Sequence, residues 1–186
     1  ILKSRSAIVK EISNRGLEID IELVQNLHCV NLEEVDREEC PTRPTSGCVW
    51  LKSTKPIPKT IKIMSVTNSI GTLKFTFERW DRLSVERRLE SAKKEPLYTF
   101  KNVGGDRYLY VYNNDTIKNL QISAVFENPI DPVEYCLGKT HCNPLELPIH
   151  TPQEILDLCI QRVYAKIIGQ RQNTTPDIVN NDSNLN

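Results

Sequence analysis

The segment that decides the fold is Leu97–Pro129, LYTFKNVGGDRYLYVYNNDTIKNLQISAVFENP. Leu97 to Phe100 and Tyr108 to Tyr112 are runs of aromatic and β-branched residues, split by Gly104-Gly105-Asp106. Leu120 to Phe126 follows a second turn signal, Asn113-Asn114-Asp115. Alternation puts Leu109, Val111 and Asn113 on one face, and Tyr108, Tyr110 and Tyr112 on the other. Short runs joined by a few turn-forming residues pair locally, so the segment reads as an antiparallel meander. Pro129 and Pro132 end its last strand, because proline cannot donate to a ladder.

Outward from this segment, Ile61–Val66 and Thr72–Phe77 predict a hairpin across Asn68-Ser69-Ile70-Gly71. Val49–Leu51 and Cys29–Val35 predict further strands, and the prolines of Lys55-Pro56-Ile57-Pro58 fix an extended turn. CPTRPTSG at 40–47 is a loop by composition. Residues 17–27 alternate like a strand, yet Asp20 is placed to cap a short helix, which is the reading adopted. The charged stretch from Trp80 to Glu95 supports at most a short helix.

Residues 2–14 predict an N-terminal helix with Ile8 and Ile12 four apart and Gly16 at its end. A second helix is expected from Thr151 as N-cap, with Pro152 in the first turn and Glu154 completing a capping box. Its apolar face comprises Ile155, Leu156, Cys159, Ile160, Val163, Tyr164 and Ile167, which makes Ile160 and Val163 expected core residues, and Gly169 is its expected stop. No βαβ spacing occurs. The expected class is α+β: a central antiparallel sheet flanked by the two helices, in one domain over 1–169. Residues 170–186 are Asn-rich and poor in apolar side chains, and are expected to form an extended arm whose anchors are Pro176, Ile178, Val179 and Leu185.

Composition excludes several functions. Lys and Arg number 24 and so do Asp and Glu, giving a net charge of +0 where a phosphate-binding surface would show a basic excess. No apolar run is long enough to span a bilayer, and the opening ILKSRSAIVKEI is amphipathic rather than a secretory leader. Six cysteines, at 29, 40, 48, 136, 142 and 159, lack zinc-knuckle spacing and are expected to be reduced and metal-free. His141 beside Cys142 leaves a metal-dependent enzyme using Cys40, Cys48, Cys136, His141 and Cys142 as one alternative. A secreted adhesion-type domain, with oxidised cysteines and sequons at Asn114, Asn173 and Asn181, is another. His28 and Cys29 are adjacent and point to different faces, so adjacency makes no catalytic dyad. No nucleophile elbow, phosphate loop or dinucleotide fingerprint is present, so neither an enzymatic role nor a cofactor is expected.

Charge is divided along the chain. Glu33, Glu34, Asp36, Glu38 and Glu39 are opposed locally only by Arg37, while Lys52, Lys55, Lys59 and Lys62 have no acid among them. Such blocks can pair within one chain or head to tail between identical neighbours.

The order of a short helix, EVDREECPT, LKSTKPIPKTI, RYLYVYN, ISAVFENPID, a capped helix and an Asn-rich tail resembles the head–tail connector proteins of tailed bacteriophages. Within them it is similar to the portal-vertex ring or adaptor proteins of crAss-like phages, over most of residues 8–168. The resemblance implies a virion component assembled in the host cytoplasm and repeated as a homo-oligomeric ring. It implies contacts with the portal or another connector or tail protein, no membrane, no sequence-specific nucleic acid and no catalytic residues.

Overall fold

The computed structural model describes residues 2–35, 50–82, 96–112, 116–137 and 151–172. Helix α1 spans Leu2–Asn14, as the Ile8/Ile12 spacing predicts, and ends at Gly16 with φ +70°. Residues 17–27 do not form the helix expected of them. Asp20 does cap, accepting the Glu22 N–H, but the capped element is a single 3-10 turn, Ile21–Leu23. The alternating residues after it open β1, Gln25–Glu34. There tertiary pairing overrides a local cap.

The remaining strands are β2 (Trp50–Ser53), β3 (Thr60–Asn68), β4 (Thr76–Phe77), β5 (Leu97–Val103), β6 (Asp106–Tyr112) and β7 (Asn119–Phe126). They form one seven-stranded sheet of order β3-β7-β1-β2-β6-β5-β4, antiparallel except for β4 beside β5. Gly104 and Gly105, with φ +62° and +94°, join β5 to β6 between the paired residues Val103 and Asp106. Only glycine takes two such consecutive conformations without steric cost, and they match the strand twist.

The meander stops at that hairpin. Strand β7 leaves β6 and inserts between β3 and β1. Leu120, Ile122, Ala124 and Phe126 face the main core while Val125 faces the helices, so β7 is buried on both sides and takes an interior place. The predicted 61–77 hairpin is likewise only begun. Phe75 N–H donates to the Val66 carbonyl, after which the chain turns away to pair in parallel with β5.

Three apolar clusters follow. Leu27, Val30, Leu51, Val66, Phe75, Leu109, Val111 and Ile122 are among the residues that fill the sheet's inner face. Trp50, Leu97, Tyr110 and Tyr112 form an outer cluster closed by Trp80, so the Tyr/Leu-Val alternation of β6 divides two cores as read from sequence. Ile8, Val9, Ile19, Leu23, Val125, Ile155 and Cys159 join α1, β7 and the C-terminal helix. Arg5 is buried at that junction. Its Nε donates to Thr151 Oγ1 at 2.8 Å and its Nη1 to the Phe126 carbonyl at 3.1 Å. Burial lowers its pKa from the ordinary guanidinium value.

Helix α2, Asp131–Leu137, follows β7 directly. It carries a correction to the thiol expectation: Cys136 is bonded to Cys29 of β1, with an S–S distance of 2.02 Å. The partners lie 107 residues apart, beyond the reach of any local spacing rule. Among the described residues Cys159 is a free, buried thiol, and burial raises its pKa.

Helix α3, Gln153–Gln172, also departs from expectation at both ends. Its first intrahelical bond runs from Leu156 N–H to the Pro152 carbonyl, and the Thr151 hydroxyl accepts from Arg5. At the other end the helix passes through Gly169, a residue that costs helix stability without forbidding it.

Candidate docking surfaces

Helix α3 packs along α1, and Arg162 and Glu11 pair at 2.9 Å. Only Ile155 and Cys159 of its apolar face are buried. Ile160 is 49% exposed, Tyr164 66% and Ile167 46%, and Ile168 is also exposed. The expectation that Ile160 and Val163 are core residues therefore fails: Ile160 faces solvent and Val163 is half-buried. At 100° per residue Ile160, Tyr164, Ile167 and Ile168 share one side of the helix, turned away from the Ile155/Cys159 contact. From Ile160 to Gln172 the charged residues are Arg162, Lys166 and Arg171, with no acid. The helix thus presents an apolar stripe with basic flanks.

A second surface lies where the two edges of the sheet approach. At one end Thr67 bridges Lys74, and at the other Arg107 donates through Nη1 to Thr60 Oγ1 while its carbonyl accepts from Ile57 N–H. Between these ties is an open groove of about 350 Å³, lined by Thr60, Ile61, Ile63, Phe77, Tyr98, Phe100 and Arg107. The Arg107 guanidinium lies 3.7 Å from the centre of the Phe100 ring. Burial lowers the Arg107 pKa and raises that of Tyr98.

The predicted inter-subunit charges are dispersed. Glu33 and Glu34 are exposed at the end of β1, and Glu33 is the register partner of Lys52 on β2, within the same chain. Lys52 Nζ lies 4.6 Å from the Tyr108 ring centre. Lys55 Nζ donates to the Tyr135 carbonyl at 3.5 Å, and burial pushes the Tyr135 phenol up to about 12. Lys59 and Lys62 are exposed at the start of β3. Asp36, Glu38 and Glu39 lie outside the described residues, as do Pro176, Ile178, Val179 and Leu185 of the predicted arm.

The chemistry available is that of contact. His28 is exposed on β1, and among the described residues no three His, Cys, Asp or Glu side chains are grouped to hold a metal. Cys136 is covalently occupied by Cys29, which removes it from the metal-ligand set proposed from sequence. Cys40, Cys48, His141 and Cys142 of that set lie outside the described residues. No described helix is long and apolar enough to cross a membrane.

The stripe on α3 had a legible signal. Its seven apolar positions cover more of the helix circumference than one packing partner reaches, which points to two partners. The groove had none, because it depends on which strands become the sheet edges.

No curated protein matches the chain. A family model described as phage tail ring protein 2, of the crAss-like phages, matches residues 1–185, in keeping with surfaces built for contact. The chain therefore belongs to the phage tail ring protein 2 family, and is a structural virion component of the phage tail ring type.

Proposed function

We propose that this chain forms a homo-oligomeric ring in the head–tail connector, at the portal vertex of a tailed bacteriophage, and binds the portal or an adjacent ring. It is assembled in the host cytoplasm and acts as a structural element rather than an enzyme, without cofactor, membrane or sequence-specific nucleic acid. Residues 1–169 act as one domain, and 170–186 as an arm that leaves it along the end of α3.

The observation that carries this reading is the exposed stripe Ile160, Tyr164, Ile167 and Ile168, in a chain whose family is that of a ring protein. A ring is built from a heterologous contact, in which one face of each copy meets a different face of the next. A stable contact of this kind buries about 800 Å² per partner around apolar and aromatic anchors. The stripe supplies such anchors with depleted acid charge. The arm and the charges Glu33, Glu34, Asp36, Glu38, Glu39, Lys52, Lys55, Lys59 and Lys62 contribute to contacts with neighbours, except that Glu33 and Lys52 can also satisfy each other within the chain.

The Cys29–Cys136 bond favours an oxidising setting, which an adhesion-type domain would also need. Virion surfaces meet the same condition. Native mass measurement of the purified chain tests the reading: a multiple of the 21.3 kDa protomer is expected. A chain that stays monomeric alone and with its purified phage portal overturns it.

A further inference from the structure

We infer that the groove between the sheet edges is the acceptor for the C-terminal arm of a neighbouring copy, which adds to the sheet there as an extra strand through Ile178 and Val179. This deepens the ring reading and rests on it for the identity of the neighbour.

The groove has the parts that strand addition requires. On its outer side β3 has, among the described residues, only the bridge Thr67↔Lys74. Among the described residues, strand β5 pairs on its outer side with β4 alone, at Leu97 and Tyr98. Among the described residues, two backbone edges therefore face one gap with ladder positions unused, the template that an extended peptide completes. Edge strands left open in this way invite uncontrolled pairing, so a protein that keeps them open gains from a dedicated occupant.

The walls select what enters. Ile61, Ile63, Tyr98 and Phe100 are partly or wholly buried, and Phe77 is 52% exposed at the mouth. Arg107 lines the groove and makes no ion pair with a carboxylate among the described residues. The occupant should therefore be β-branched, extended and acidic.

The segment 173–186, NTTPDIVNNDSNLN, has those properties: Ile178-Val179 is its apolar β-branched pair, and Asp177 and Asp182 are its side-chain charges, with no Lys or Arg. Pro176 favours an extended residue before it. Alternation puts Ile178 and Val179 on opposite faces of a strand, so one enters the groove. The ring reading supplies a neighbour as host. The end of α3 from Val163 to Gln172 extends about 15 Å at 1.5 Å per residue. Residues 173–178 then reach up to about 20 Å more.

The test uses a labelled synthetic peptide of residues 173–186 and the full-length chain carrying I178D and V179D, which disarms its own tail. The peptide is expected to bind this chain. Adding Phe77→Asp, an exposed substitution whose folding is checked by circular dichroism, should weaken binding at least tenfold. A peptide carrying both aspartates should not bind. Equal binding with and without Phe77→Asp, or no binding to the disarmed chain, overturns the groove assignment. The wild-type chain and its Phe77→Asp variant are also compared by native mass. Smaller assemblies for the variant support exchange between copies. Unchanged rings overturn the groove assignment and leave the ring reading standing. A wild-type chain that is monomeric while the peptide still binds places the arm in its own groove, which overturns the exchange between copies.

Discussion

The two halves of α3 have the same kind of sequence and opposite surroundings. Ile155 and Cys159 lie in the cluster with Ile8, Val9 and Val125, whereas Ile160, Tyr164 and Ile167 lie against solvent. Helix formation depends on propensity and on some apolar face to bury, and both halves supply these. Which residues are buried depends on the side of the helix that meets α1: Ile155 and Cys159 lie on that side, and Ile160, Tyr164 and Ile167 are turned away from it. Amphipathicity therefore identifies a buried face without saying whether its own chain or a neighbour covers it.

Substitution separates the halves. Ile155→Asp removes a side chain that is 7% exposed and buries a carboxylate beneath α1. Lost burial alone costs about 2–5 kcal/mol, and desolvation of the charge adds to it. That is a large part of a domain's stability, so the variant should unfold at much lower urea or fail to accumulate. Tyr164→Asp, on the exposed half, should shift the urea midpoint by no more than about 0.5 kcal/mol equivalent. It should nevertheless reduce assembly in native mass measurement. Equal stability losses for the two variants would abolish the distinction between the halves.

Helix α2 sharpens the comparison, since it is held to β1 covalently where α3 is held by packing. Cross-links closing long loops restrict the unfolded chain, and loss of one costs about 2–4 kcal/mol. Cys29→Ser should lower the denaturation midpoint accordingly, and reduction of the wild type should reproduce the effect. Wild type that denatures identically with and without reductant would show that the bond does not form in solution.

Sequence carried much of the fold, through local signals. Gly104-Gly105 marks the β5–β6 hairpin, and the alternation of Tyr108, Tyr110 and Tyr112 with Leu109 and Val111 divides two cores. Apart from the helix stop expected at Gly169, the misses are long-range. The place of β7, the parallel β4–β5 pair and the Cys29–Cys136 bond depend on residues far apart in sequence. Arg5 is another case: on an amphipathic N-terminal helix it reads as a solvent cation, yet Thr151 and the Phe126 carbonyl hold it inside. Of the candidate contact residues, Glu33 and Lys52 belong to charge blocks read as able to pair within the chain or between neighbours; they are register partners, because the sheet order brings β1 beside β2.

The smallest expected effect concerns how α1 is held at its surface, in contrast to its Arg5 anchor. Lys10 Nζ donates to Glu127 Oε1 at 2.6 Å, and Ser6 Oγ donates to the same oxygen at 3.2 Å. The Lys10 hydrogen bond, chiefly, holds the Glu127 carboxyl below its ordinary pKa, against an opposing effect of burial. A carboxyl depressed in the folded state contributes stability that is complete above its unfolded pKa, near ~4.3, and is lost as pH falls through the folded value. The pair is exposed and screened by solvent, so Lys10→Met should cost only about 0.2–1 kcal/mol at pH 7. That corresponds to about 0.5–4 °C in Tm for a domain of this size. Asp131, whose carboxyl burial pushes up, has the opposite pH dependence but is present in both proteins and largely cancels from their difference. The gap between wild type and Lys10→Met should therefore be open at pH 7, shrink below pH ~4 and close once Glu127 is protonated in both states. It should also narrow in high salt at neutral pH. A gap that stays constant through the acid range would show that Lys10 supports α1 through the packing of its aliphatic stem rather than through its charge.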